Sequence, residues 1–156
     1  MEKPIQEYYP DELAHCYGCG RLNPHGLQIK SYWNGKEAVA YFRPRPYHTA
    51  IPGFVYGGLI ASLIDCHGTG TAAAAAYQAQ GRIPGKPPHL RFVTASLQVN
   101  YLKPTPIDCE LKLIARPSEI KGRKVIVDVE LWANDEKCAT GRVIAVQLPE
   151  SMASGQ

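Results

Sequence analysis

The sequence predicts an α+β domain, an antiparallel sheet with one long buried helix packed along it. Three observations carry this reading. The stretch from Leu59 to Ala76 is apolar nearly all round, as a buried helix should be. Two strand-like runs precede it, and four more follow with apolar and polar residues alternating. The links between the later runs are short, which favours an antiparallel meander over parallel crossovers.

Each element has its own signal. Residues 1–20 are polar and aromatic and carry Pro4 and Pro10, so they read as an irregular arm laid on the domain. Residues 26–33 and 37–43 read as a hairpin around the Asn34-Gly35 turn. Pro44, Pro46 and Pro52 keep residues 44–56 out of regular structure. Residues 57–80 contain an alanine block of high helix propensity, while Gly68 and Gly70 let a sheet come close. Residues 93–101, 109–115, 125–132 and 137–148 read as strands. One such domain spans residues 21–149, and residues 150–156 read as a disordered tail.

Composition narrows the function. The chain has 156 residues, 45% hydrophobic and 20% charged, enough for one core without disulfides or a structural metal. Its net charge of +3 is too mild for a nucleic-acid partner. No run approaches the roughly 20 apolar residues of a membrane span, so no membrane partner is expected. The first residues lack the apolar core of a signal peptide. With five cysteines and no secretory signal, free thiols and a cytoplasmic location are expected.

Asp65 is the first candidate for chemistry. A carboxylate in an apolar helix costs several kcal/mol unless it is paired or faces a cleft. Gly57-Gly58 opens the same helix, where amide N–H groups and the dipole favour an acyl oxygen. Asp65 lies eight residues beyond Gly57, ~12 Å along an ideal helix axis, so the two need a partner chain or a bend to act together. Ser62 and Thr69 share its helix face and are positioned to orient it. Cys66 and His67 cannot face Asp65 from adjacent positions, so Cys66 reads as a small core residue and His67 as a satisfied helix histidine. Cys16 and Cys19 form a single C-x-x-C beside His15 and His25. A structural zinc needs four ligands, and no second such pair follows, so neither metal nor other cofactor is expected. Basic residues gather at Lys121, Arg123 and Lys124 in a predicted turn.

The segment from Gly53 through Tyr56-Gly57-Gly58 to Asp65 resembles the His-Gly-Gly…Asp signature of hotdog-fold acyl-CoA thioesterases. It is most similar to the phenylacetyl-CoA type and to thioesterase-superfamily members. The run from Thr94 to Pro106 and the entry segment Cys16-Tyr17-Gly18-Cys19-Gly20 with Asn23-Pro24-His25-Gly26-Leu27 are similar to the same group. The resemblance covers about residues 15–148. It implies a hotdog fold of about six strands around one central helix, and hydrolysis of acyl-CoA to acid and CoA. The Gly57 amide would be the oxyanion hole and Asp65 the general base or nucleophile. Thr94 matches a hydroxyl that helps place water, supplied in part of the family by the partner subunit. Tyr56 and Gly58 would border the substrate, and Lys121, Arg123 and Lys124 would hold the CoA phosphates. A homodimer, or a dimer of dimers, is implied. One departure is that Tyr56 stands where the family usually has His, and a phenol does not titrate near neutrality. His48 lies 17 residues before Asp65, in the region from which related hotdog dehydratases take a histidine, although their His-Phe-Pro-Gly sequence is missing. Two alternatives stay open: a hydratase or dehydratase of acyl thioesters, and a non-catalytic acyl-CoA binding module.

Overall fold

The computed structural model describes residues 1–153. Six strands and one long helix make up its frame: β1 (Tyr32–Trp33), β2 (Ala38–Phe42), α1 (Gly57–Ala79), β3 (Phe92–Tyr101), β4 (Leu111–Lys121), β5 (Lys124–Ala133) and β6 (Glu136–Gln147). A short helix, α2 (Glu150–Ala153), follows where a tail was expected, and residues 154–156 lie outside the described residues. All strand pairs are antiparallel, in the order β1-β2-β4-β5-β6-β3.

Burial explains why this sequence forms this sheet. On β5, Val125, Val127, Val129 and Leu131 are buried, and on β4, Leu111, Leu113 and Ala115 join them under α1. The helix itself is buried from Cys66 to Tyr77 without a break. Its small residues permit this. A Cβ at Gly68 would come within 2.5 Å of Val143 on β6, and one at Gly70 within 2.7 Å of Gln6 in the arm. Removing that much apolar surface from water offsets the poor helix propensity of the Gly-Thr-Gly-Thr run.

Two expectations are corrected. The meander holds only for β4, β5 and β6, because β3 pairs with β6 at the far edge and does not touch β4. The segment Lys103-Pro104-Thr105-Pro106 is a crossover and not a hairpin turn. The Lys103 amide donates to the Cys138 carbonyl, and the Thr105 carbonyl accepts from Val55. Two prolines leave too few donors for a tight return to the sheet. The strand expected over residues 26–33 shrinks to two residues. Leu27 and Ile29 donate instead to the carbonyls of Tyr17 and Gly18, and Gln28 adopts a positive φ of 52° that breaks the strand.

The arm is part of the core. Ile5, Tyr9 and Cys19 are buried in the same hydrophobic cluster as α1 and the sheet. Gln6 fixes it further, since its side chain donates to Ser31 Oγ at 3.1 Å and accepts from the Ser31 amide at 2.8 Å. The β4–β5 turn is tighter than expected, with Gly122 at φ 60°. Strand β3 is the exception to burial. Only Phe92 is buried, and Val93, Leu97 and Tyr101 stand exposed along an edge with no further strand among the described residues.

Candidate active site

Asp65 lies two turns into α1, on the side that faces β3. The Thr94 hydroxyl donates a hydrogen bond to its carboxylate within one chain. Asp65 is half-buried, and among the described residues no Lys, Arg or His pairs with it. A carboxylate in an apolar helix with only a hydroxyl partner retains acceptor capacity for a water or a reacting group. Ser62 and Thr69 do not orient it, contrary to expectation. Their hydroxyls donate to the helix carbonyls of Gly58 (2.9 Å) and Cys66 (3.2 Å), the usual sink for a hydroxyl within a helix.

The start of α1 forms a second centre. Gly57 and Gly58 carry the first amides of the helix, which have no intrahelical carbonyl behind them. The Tyr56 carbonyl accepts from the Leu59 and Ile60 amides, and the Tyr56 amide donates to the His48 carbonyl. The His48 loop is thereby tied to the helix start. The Tyr56 ring folds over Gly58, where any Cβ would overlap it. The Tyr101 hydroxyl donates to the Gly57 carbonyl at 2.7 Å, a contact the sequence reading missed. Beside Gly57 is an apolar cavity of about 450 Å³, lined by Ile51, Phe54, Ile60, Tyr101 and Leu102. His48 accepts the Arg45 amide on Nδ1 at 2.9 Å, and partial burial followed by the Arg45 charge pushes its pKa down. Asp65 follows Gly57 by eight positions along the helix, so one chain does not bring them together.

Two sets of cations flank these centres. Lys121, Arg123 and Lys124 occupy the tip of the β4–β5 hairpin, where Arg123 donates to the Gln147 carbonyl at 3.2 Å and Lys124 is 4.0 Å from Glu119. Lys124 lies opposite Val146, and Val146 opposite Val93. The tip is therefore two strand spacings, ~10 Å, from the row beside Thr94. The second set was not legible in the sequence. Lys30, Arg43 and Arg45 line a cleft of about 900 Å³ with His25 and His48.

The two residues after Asp65 face elsewhere. His67 is fully buried, with Nδ1 2.7 Å from Ser31 Oγ and Nε2 3.0 Å from the Ala38 carbonyl. Burial lowers its pKa to about 4, so it is a neutral structural histidine, as expected. Cys66 is more than a core residue. Its Sγ is 3.7 Å from Cys16 Sγ, and Cys16, Cys19 and Cys66 present three sulfurs within 4.8 Å of one another. Hydrogen bonds from the Cys19 and Cys66 thiols, helped by backbone amides, pull the Cys16 thiol down, and donating to it raises Cys19 to about 11. Sequence spacing hid this group because Cys66 is 50 residues from Cys16.

Comparison with known proteins agrees with this architecture. The thioesterase superfamily matches residues 52–140, more than half of the chain. Acyl-coenzyme A thioesterase THEM4 of Xenopus laevis is 32% identical over 113 residues, 71% of this chain and 45% of that protein. The mouse protein of the same name is 31% identical over 114 residues, 72% of this chain and 44% of its own length. This chain thus spans less than half the length of these curated relatives. A thioesterase superfamily protein from Shewanella loihica is 50% identical with a TM-score of 0.65, covering 81% of this chain and 96% of its own. A Streptococcus mutans protein solved with acetyl-CoA shares the fold at a TM-score of 0.62 and 16% identity, covering 77% of this chain and 88% of its own. An antiparallel six-stranded sheet holding one long helix is the hotdog fold. The chain belongs to the thioesterase superfamily.

Proposed function

We propose that the protein hydrolyses acyl-CoA thioesters to free acid and CoA, with Asp65 as the reacting carboxylate. The observation that carries the reading is Asp65 itself, half-buried on an apolar helix with only the Thr94 hydroxyl as partner. A half-buried carboxylate without a counter-cation among the described residues is free to take up a water or a reacting group. Asp65 removes a proton from water as it attacks the thioester carbonyl, or attacks directly to give a mixed anhydride that water then cleaves. The CoA thiolate leaves in either route. The Gly57 amide receives the developing oxyanion, aided by the positive end of the α1 dipole. Thr94 holds the carboxylate or its water in place.

Because Gly57 and Asp65 of one chain lie ~12 Å apart along the helix, the complete site combines Gly57 of one protomer with Asp65 of another. The exposed edge of β3 supports a homodimer in which two β3 strands pair and continue the sheet. The relatives named as acyl-CoA thioesterases support the substrate class. The acyl group fits the apolar cavity beside Gly57, with Tyr56 and Gly58 adjoining Gly57 in the chain, and the nucleotide phosphates fit Arg123, Lys124 and Lys121. Five free cysteines suit a reducing compartment such as the cytoplasm.

The test is CoA release from a panel of short, medium, long and aryl acyl-CoAs, by wild type and by Asp65→Asn. Turnover by wild type and a loss of about 10² or more in the folded variant are expected. Binding of every ester without release, unchanged in Asp65→Asn, would sink the hydrolase reading and favour a binding module. Hydration of an enoyl ester without free thiol would favour the hydratase.

A further inference from the structure

We propose that Cys16, Cys19 and Cys66 form a zinc site that ties the N-terminal arm to α1 beside Asp65. Three thiols from two distant segments converge on one point, with every sulfur within 4.8 Å of the others. Tetrahedral zinc with Zn–S bonds of 2.3 Å needs sulfurs about 3.8 Å apart, and the Cys16–Cys66 pair already stands at 3.7 Å.

The surroundings leave room for three sulfurs and supply a cation. Gly18 is the only residue type that fits between the two segments, since any Cβ there would overlap Cys66 Sγ. Gly18 sits in the turn over Tyr17–Cys19 without a positive φ, so what requires glycine there is the room it leaves for the third sulfur. Three thiolates around a divalent ion leave one negative charge, and the Arg91 guanidinium lies within electrostatic reach of all three cysteines. Binding releases whatever protons the thiols still hold.

The fourth position also has a candidate. The Tyr9 hydroxyl is buried without a hydrogen-bond partner and lies within electrostatic reach of Cys19 and Cys66. A buried hydroxyl left unpaired costs about 1–3 kcal/mol. It is available to complete the coordination, directly or through a bound water. A disulfide explains the group less well, because it joins two sulfurs, needs an oxidant and leaves the third thiol buried without a role.

The experiment uses the full chain purified under reducing conditions from zinc-supplemented medium. Elemental analysis should find about one equivalent of zinc per chain. Cobalt(II) titrated into stripped protein should give a thiolate-to-cobalt charge-transfer band. That band should vanish in Cys16→Ser, Cys19→Ser and Cys66→Ser and persist in Cys109→Ser. If a variant fails to fold, wild type still reports: chelation should lower its thermal midpoint by more than about 5 °C, and zinc should restore it. Reduced wild type that takes up neither zinc nor cobalt would overturn the proposal, and a disulfide found in the same chain as isolated would assign the group to redox chemistry. A cobalt band surviving Cys66→Ser would also overturn it.

Discussion

Acidification should destabilise this protein through His67. The imidazole is fully buried, with Nε2–H donating to the Ala38 carbonyl and Nδ1 accepting from Ser31. Burial, partly opposed by the Ala38 hydrogen bond, lowers its pKa from 6.5 to about 4, and no charged side chain contributes to that shift. The folded state therefore holds His67 neutral, whereas the unfolded chain binds a proton below pH 6.5. Stability is fully present above that pH and is lost as pH falls toward 4. At 1.36 kcal/mol per pH unit the whole gap is about 3.4 kcal/mol, of which about 2 kcal/mol is lost between pH 7 and pH 5. That is a large share of the 5–15 kcal/mol that usually holds a domain together. Urea unfolding at pH 7 and pH 5, at fixed protein concentration, measures it. His67→Gln is the control, since its amide can accept from Ser31 and donate to Ala38 without titrating. Wild type should lose about 2 kcal/mol more than the variant over this interval. Equal losses in the two proteins would refute the assignment of a buried neutral histidine.

Two further outcomes test the interface and the phosphate contacts. If the proposed β3-edge dimer forms, Leu97→Lys on that exposed edge should convert it to monomers by light scattering and abolish hydrolysis with it; a dimer that persists would move the proposed interface elsewhere. Arg123→Glu with Lys124→Glu should raise KM for acyl-CoA by roughly tenfold with kcat unchanged. An unchanged KM, with the increase appearing instead in Arg45→Glu, would shift the phosphates to the cleft at Lys30, Arg43 and Arg45.

The frame was legible where period and burial agree. Val125 to Leu131 alternate because one face meets α1, and α1 is apolar all round because arm and sheet enclose it. Asp65 stood out by the same logic, as a charge in an apolar run. Partner choice was not legible. Periodicity identifies β3 as a strand but not its neighbour, and the prolines after Tyr101 read equally as a turn or a crossover. The lost strand at residues 26–31 has a similar cause, because its hydrogen bonds went to the arm, a segment without periodic signal. The cysteine group escaped since a single C-x-x-C specifies two ligands, and only the fold shows which distant thiol joins them.

Asp65, Cys66 and His67 invite a triad on paper, and the helix denies it. Successive residues on α1 turn by about 100°, so three neighbours face three parts of the molecule. Asp65 meets Thr94 at the β3 edge, Cys66 meets Cys16 in the arm, and His67 meets Ser31 and the Ala38 carbonyl near β1 and β2. The outward residue can be spent on chemistry because the two behind it are fixed: a carboxylate held by one hydroxyl keeps its position only if the helix beneath it cannot roll. The buried imidazole and the sulfur group lock that rotation from two sides. Placing Asp65 on this turn of the helix thus joins the single charged residue of α1 to a stretch of backbone buried on every other side.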